Sequence, residues 1–353
     1  MIKVLIVEDS RVAQEFLAHI LSFDPDMEVV GIAGDGADAL AMVLEKHPDV
    51  ITMDIHMPKM NGFEATRKIM ENAPTPIVIV SASTGSSEVD SNFRALEAGA
   101  LAMVLRPPGM GHPDHAAAVR DLIRTVKLMS EIKVVRRHSR AKQTGALPPL
   151  PVMREPATAR DIRLLAIGAS TGGPPVLHKI LSLLPHNLGV PVLIVQHIAA
   201  GFVEGFAHWL TNASGFPVLV AAHNENPLAG HAYVAPDGFH IGISKSLRIS
   251  LSNHAAENGL RPSVAYLFRT TALALGPRAL GVLLTGMGRD GSDELKLMRD
   301  AGAITIAQDQ ASSIVHGMPG EAIKLDGATY ILPPEGIAKT VIELIRRSNG
   351  PAK

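Results

Sequence analysis

Cysteine is absent from this chain of 353 residues. That removes disulfides, thiolate metal sites and a cysteine nucleophile together, and it fits a reducing compartment. Long apolar runs are missing too, since none approaches the roughly 18 residues needed to span a bilayer. The opening Met1-Ile2-Lys3-Val4-Leu5-Ile6-Val7-Glu8-Asp9 breaks into acid too early for a signal-peptide core. A soluble, cytoplasmic protein with no membrane insertion is expected. Neither sign of charge dominates, with 33 Lys and Arg against 34 Asp and Glu, so nothing in the overall balance marks a nucleic-acid or membrane-surface protein. Gly and Pro, 31 and 25 residues, stay below the proportion that signals low complexity, and hydrophobic residues reach 46%. A sizeable packed core is therefore expected, and the length suggests two domains.

Charge is unevenly spread. Residues 1–129 carry a formal −7, residues 130–160 carry +5 and residues 161–353 carry +1. The middle stretch combines Arg136-Arg137-His138-Ser139-Arg140 with Pro148-Pro149-Leu150-Pro151, a polar, proline-rich composition that builds no core. We expect domains at 1–129 and 161–348 joined by a basic linker over 130–160.

Short apolar, β-branched runs at 4–7, 29–33, 50–53, 77–80 and 102–105 alternate with helix-period stretches at 11–22, 36–45, 61–71, 88–98 and 115–129. This is a (βα)5 pattern, and continuous apolar strands imply a parallel sheet covered on both faces. The second segment repeats the pattern with strands at 164–167, 190–195, 218–220, 279–284 and 304–307. Runs at 233–235, 239–243 and 247–251 suggest short hairpin strands. The expected fold class is α/β: two doubly wound parallel-sheet domains, the second with a small antiparallel hairpin region.

Ligands of parallel sheets bind at the carboxyl ends of the strands. In the first domain Glu8 and Asp9 follow strand one and Asp54 follows strand three, three carboxylates that converge as oxygen ligands for Mg²⁺. Ser81 ends strand four and Arg106 follows strand five. A hydroxyl and a cation beside three acids outweigh the reading of solvated loop carboxylates. With Val7-Glu8-Asp9-Ser10, Met53-Asp54-Ile55-His56-Met57-Pro58-Lys59-Met60-Asn61-Gly62 and Arg106-Pro107, the segment resembles a two-component response-regulator receiver domain. The resemblance implies that Asp54 accepts a phosphoryl group from a histidine kinase, with Glu8, Asp9 and Asp54 holding Mg²⁺ and Ser81 and Arg106 contacting the phosphoryl oxygens. Arg106 stands where that family has Lys, Met103 replaces its switch aromatic and Ala102 the preceding acid.

In the second domain a strand runs into Gly168-Ala169-Ser170-Thr171-Gly172-Gly173-Pro174-Pro175 and then an apolar helix. The glycines permit a sharp turn, and the prolines suit a first helical turn, whose N–H groups have no helical partner. Ser170 has G-x-S-x-G spacing, which serves a nucleophile, a phosphate or dinucleotide loop, or a plain turn. Two further strand ends bear on this. One delivers Gln196-His197, with no acid there for a ribose. The other delivers Thr285-Gly286-Met287-Gly288-Arg289-Asp290-Gly291. Ser170, His197 and Asp290 on three strand ends make a triad hypothesis, in a chain order unlike that of α/β-hydrolases.

These runs, with Gln196-His197-Ile198, Arg261-Pro262-Ser263-Val264, Gln308-Asp309 and Gly317-Met318-Pro319, resemble the chemotaxis-type protein-glutamate methylesterases, and the receiver–linker–esterase order matches that family. The resemblance implies a hydrolase in which Ser170 attacks a glutamyl methyl ester on methyl-accepting chemoreceptors, His197 transfers the proton and Asp290 orients the imidazole. Thr171, Gly172 and Met287 surround the oxyanion or shape the substrate site, and no cofactor enters the esterase reaction. Deamidation of receptor glutamines would use the same acyl-transfer chemistry. Ala265 stands where the family has Asp, and Arg261 to Ser263 are expected to shape the substrate edge. A monomer that binds no nucleic acid is expected. The rival readings are a non-catalytic adaptor for receptor or kinase, and a nucleotide-binding regulator. His112 and His115 are expected to be solvated loop residues, and Phe202, Phe206 and Trp209 to be helix packing.

Overall fold

The computed structural model describes residues 1–82, 86–134 and 161–348, so most of the expected linker lies outside the described residues. The chain divides into two compact units, Met1–Pro148 and Pro149–Lys353.

The first unit alternates β1 (Ile2–Val7), α1 (Arg11–Ser22), β2 (Met27–Ala33), α2 (Gly36–Lys46), β3 (Val50–Met53), α3 (Gly62–Asn72), β4 (Ile77–Ser81), α4 (Ser86–Ala98), β5 (Ala102–Leu105) and α5 (His115–Ser130). Its sheet is parallel in the order β2-β1-β3-β4-β5. Val4 to Val7 and all of β3 and β4 are buried, the pattern of strands covered on both faces. Burying each Val or Ile contributes about 1.5–3 kcal/mol. Helix starts are set locally: Asp35 caps α2 by accepting from the amides of Ala37 and Asp38, and Asn61 caps α3 by accepting from Glu64. The strand order reverses between β1 and β3, which opens a crevice at their carboxyl ends. Glu8, Asp9 and Asp54 stand at that crevice.

The second unit runs β6 (Leu164–Ala169), α6 (Gly173–Leu183), β7 (Val192–Gln196), α7 (Val203–Ser214), β8 (Val218–Val220), β9 (Ala232–Val234), β10 (His240–Ile243), β11 (Ile249–Ser252), α8 (Val264–Leu275), β12 (Ala279–Leu283), α9 (Ser292–Asp300), β13 (Ile304–Gln308), α10 (Met318–Lys324), β14 (Tyr330–Leu332) and α11 (Pro334–Ser348). Seven parallel strands lie in the order β14-β13-β12-β6-β7-β9-β8, and β10 and β11 pair antiparallel. The run expected as a hairpin strand at 233–235 is instead β9, buried inside the main sheet between β7 and β8. Its three residues are too few to show a period, and the sheet they join is decided by non-local pairing. β14, also three residues, escaped the sequence reading for the same reason. Phe206 stacks on Trp209 with ring centroids 6.0 Å apart, within the packing expected of α7. Here the strand order reverses between β6 and β12, and Ser170 and the Thr285–Asp290 loop follow those two strands.

Candidate active site and candidate metal site

Ser170 follows β6 directly. Its amide donates to Thr285 O at 3.0 Å, and its carbonyl accepts from Gly173 N at 2.8 Å, closing the turn into α6. Gly172 holds φ at +75°, a left-handed conformation that a side chain would strain, and Pro174 and Pro175 occupy the first turn of α6.

His197 follows β7, which pairs with β6 in a register that sets Gln196 opposite Ala169. Ser170 and His197 are therefore the next residues on two neighbouring strands, which in a sheet lie about 4.8 Å apart. Gln196 braces the pair, its side-chain amide donating to Ser170 O at 2.9 Å and to His197 O at 2.7 Å. The His197 amide donates to Ala169 O at 3.0 Å.

Asp290, in the loop after β12, accepts from His197 Nε2 through Oδ2 at 2.9 Å. The His197 and Asp290 side chains are 12% and 2% exposed, so solvent screens this contact little. Asp290 takes three more donors from the start of α8: Ser263 Oγ at 2.9 Å, Val264 N at 2.7 Å and Ala265 N at 3.1 Å. A helix N-terminus presents unpaired amides and favours an anion, so the carboxylate acts as the acceptor for another element's first turn. Burial pushes the Asp290 carboxyl upward. The hydrogen bond and charge of His197, with Val264 N and Ser263 Oγ, outweigh that and hold it below the usual carboxylate value. Ser263 was expected at the substrate edge. It is instead buried beneath Asp290, whereas Arg261 is exposed and donates to Asn253 O and His254 O.

Met287 is half-buried in the same loop. The loop is pinned by Thr285, whose Oγ1 lies 3.0 Å from Thr171 O and accepts from Val315 N at 2.9 Å. Gln308 Oε1 accepts from Thr285 N at 2.8 Å. A Cβ on Gly286 would sit 2.7 Å from Ser170 Cβ and 2.3 Å from Met318 Sδ, so glycine is what lets the two loops approach.

In the first unit one oxygen each of Glu8, Asp9 and Asp54 lie within 4.8 Å of one another. Asp54 N donates to Val7 O at 2.9 Å, tying the ends of β1 and β3 together. Arg106 was expected at the phosphoryl group. In this structure its Nη2 donates to Glu8 Oε2 at 2.5 Å, while Ser10 N donates to Glu8 Oε1 at 3.1 Å. Arg106 Nε is buried without a partner among the described residues. Burial, then the charge of Asp54, raise the Glu8 carboxyl to about 6 against the pull of Arg106. Burial also raises Asp54, again opposed by Arg106. Ser81, buried at the end of β4, accepts from Asn92 Nδ2 at 3.0 Å. Met103 is buried in β5 opposite Ile79. His115 Nδ1 lies 2.7 Å from Pro108 O, and the acidic trio is the metal-capable group found among the described residues.

Residues 165–341 match the family described as CheB methylesterase, and residues 4–112 match the response regulator receiver domain. A protein-glutamate methylesterase/protein-glutamine glutaminase of Syntrophus aciditrophicus is 54% identical over 347 residues, 98% of each chain. One from Nitrosospira multiformis is 54% identical over 347 residues, 98% of this chain and 97% of that one. The Thermotoga maritima CheB methylesterase catalytic domain aligns with a TM-score of 0.50 at 33% identity, covering 52% of this chain and 98% of that domain. The chain belongs to the CheB methylesterase family.

As a CheB methylesterase it is a carboxylic-ester hydrolase carrying a receiver domain, as the sequence resemblance implied. No helix among the described residues is long and apolar enough to cross a membrane. The donor set of the receiver fits a hard divalent cation, since carboxylate oxygens suit Mg²⁺ and two of the three acids are buried. Sequence reasoning gave no bracing role to Gln196, Thr285 and Gln308, all buried, and none to Ser263 beneath Asp290. One signal was present. Gln196 and Gln308 are the last residues of β7 and β13, and Thr285 lies just past β12, polar groups where otherwise apolar strands reach the reacting edge.

Proposed function

We propose that this CheB-family hydrolase cleaves glutamyl methyl esters of methyl-accepting chemoreceptors through Ser170, His197 and Asp290, under the control of phosphorylation at Asp54. The observation that carries the reading is the His197–Asp290 contact at 2.9 Å, beside Ser170 on the register-paired strand. Because Nε2 donates to an ionised carboxylate, Nδ1 is the ring's basic nitrogen. It takes the Ser170 hydroxyl proton as Oγ attacks the γ-carbonyl carbon. The tetrahedral oxyanion is met by backbone N–H groups of the Thr171–Gly172 turn and the Met287 loop, where one such donor contributes about 2.7–4 kcal/mol in serine hydrolases. Collapse breaks the ester C–O bond, and the imidazolium returns its proton to the departing methanol. Water, deprotonated by His197, then hydrolyses the acyl-enzyme to a glutamate carboxylate and regenerates Ser170. With a glutamine substrate the leaving group is ammonia, which extends the same cycle to deamidation. No step of this cycle calls for a cofactor.

In the receiver, Glu8, Asp9 and Asp54 would hold Mg²⁺, which supplies charge neutralisation for an incoming phosphoryl group. Asp54 is the acceptor from a histidine kinase, and Ser81 and Arg106 contact the phosphoryl oxygens. The domains run 1–129 and 161–348 with a linker over 130–160, and the reaction belongs to the cytoplasmic face of receptor signalling.

The test is methanol release from methyl-labelled receptor cytoplasmic fragments, with Mg²⁺ and a small phosphodonor. Ser170→Ala is expected to lower it by about 10⁴-fold. Asp54→Asn is expected to abolish phosphoryl uptake and leave basal hydrolysis. Release that survives Ser170→Ala, or uptake that survives Asp54→Asn, overturns the corresponding half of the proposal.

A further inference from the structure

The second unit contains a fully buried histidine that the cycle above does not use. His240 opens β10, is 0% exposed, and stacks on Tyr266 with ring centroids 4.8 Å apart and an interplanar angle of 17°. Ser263 N lies 3.2 Å from its Nδ1, and Ala255 O lies 3.2 Å from its Nε2. An amide can only donate and a carbonyl can only accept. The ring is thereby fixed as a neutral tautomer, with a lone pair on Nδ1 and the proton on Nε2.

The residue it holds is the N-cap of α8. Ser263 has the extended backbone of a cap but makes no side-chain bond to its own helix. Its hydroxyl donates instead to Asp290 Oδ1, and the amides of Val264 and Ala265 that follow it donate to the same carboxylate. The three donors that hold Asp290 toward His197 therefore all come from a three-residue segment whose first amide is anchored on His240. An apolar ring could fill the same space and stack on Tyr266. It could not accept from Ser263 N, which would become a buried donor with no partner. The first turn of α8 would then shift to find one, and Asp290 would shift with it.

We infer that His240 is a positioning residue of the esterase centre, acting through Ser263 and Asp290 on the orientation of His197. The inference rests on the serine-esterase reading, but the role is separable from packing because it depends on one acceptor atom. Asparagine places Oδ1 near the position of Nδ1 and restores the acceptor, whereas phenylalanine restores only the ring.

The experiment compares the full-length wild type with His240→Phe and His240→Asn, each checked for folding by thermal melting. Receptor-ester hydrolysis is followed, together with the low-field NMR proton of His197 Nε2–H. Losing one buried acceptor is expected to lower kcat by about tenfold or more with KM within about twofold. His240→Phe should show that loss and a displaced or missing low-field proton, and His240→Asn should recover kcat to within about threefold of wild type. Should His240→Phe not fold, His240→Gln, which puts no acceptor at the Nδ1 position, takes its place with the same expectation. A folded His240→Phe with wild-type kcat and an unmoved His197 proton overturns the inference. So does an Asn variant as impaired as the Phe one, because packing would then explain both. Failure of the esterase reading looks different: wild-type hydrolysis would be insensitive to Ser170→Ala, while the His197 proton would still report whether His240 sets the Asp290 contact.

Discussion

Asp290 accepts from His197 Nε2 at 2.9 Å while three groups at the start of α8 hold the same carboxylate from behind. Four donors on two oxygens leave the carboxylate little freedom, and the ring it orients takes its direction from the helix.

Asp290→Asn therefore does two things. It removes the negative charge beside His197, which the proposed cycle uses to stabilise the imidazolium, and it leaves one oxygen to serve donors that now use two. A fall in kcat of about 10⁴-fold is expected, the scale seen when a triad acid becomes an amide. A lower melting temperature should accompany it, since at least one buried amide at α8 loses its acceptor. Steady-state hydrolysis and calorimetry on the same preparation check both, and a drop in melting temperature with kcat unchanged would leave Asp290 a structural cap only.

Gly286→Ala tests the approach of the β12 loop to Ser170. The new methyl would meet Ser170 Cβ at 2.7 Å and Met318 Sδ at 2.3 Å. Overpacking of this kind costs about 1–3 kcal/mol of stability. Retreat of the loop by a few tenths of an ångström to 1 Å is expected to lower kcat by about 100-fold. Denaturant titration and turnover measure the two effects.

Arg106 and a divalent cation claim the same carboxylate. Arg106 Nη2 lies on Glu8 Oε2 at 2.5 Å, and Glu8 is one of the three acids that would hold Mg²⁺, so the guanidinium draws on charge the cation would use. Arg106→Gln is expected to tighten Mg²⁺ binding by about tenfold, because hydrogen bonds to charged groups contribute about 1.5–3 kcal/mol. Titration calorimetry on the full chain reads it directly. Unchanged affinity would show that the guanidinium does not compete.

Glu8 gives a pH signature. Its carboxyl is raised from an ordinary 4.5 to about 6 by burial and by the charge of Asp54. Between those values the folded chain holds a proton that the unfolded chain has released. Stability from this group is therefore gained as pH falls from 7 toward 4.5 and lost as pH rises through 6. In chelator, wild type should show this slope relative to Glu8→Gln in paired urea titrations from pH 4.5 to 7. Parallel curves for the two proteins would place Glu8 in solvent-like surroundings.

Much of this was legible in the chain. Apolar runs buried on both faces, separated by helix-period stretches, gave the parallel α/β architecture; polar residues just past apolar strands marked His197 and the acidic trio, and glycine-rich turns marked Ser170 and Asp290. These signals are local: a period of 2 or 3.6, a glycine that relieves a turn, a polar residue ending an apolar strand. They also placed the prolines of α6 correctly.

What the sequence alone determined, then, is which residues stand at the reacting edge of each sheet. The tertiary structure decided which of them touch. Ser263 reaches Asp290 across 27 positions and Arg106 reaches Glu8 across 98. β9 joins the main sheet by pairing with β7 and β8, not by any period of its own. Buried donors and acceptors must find partners, and partners that distant are set by how helices and strands pack, which no local pattern encodes.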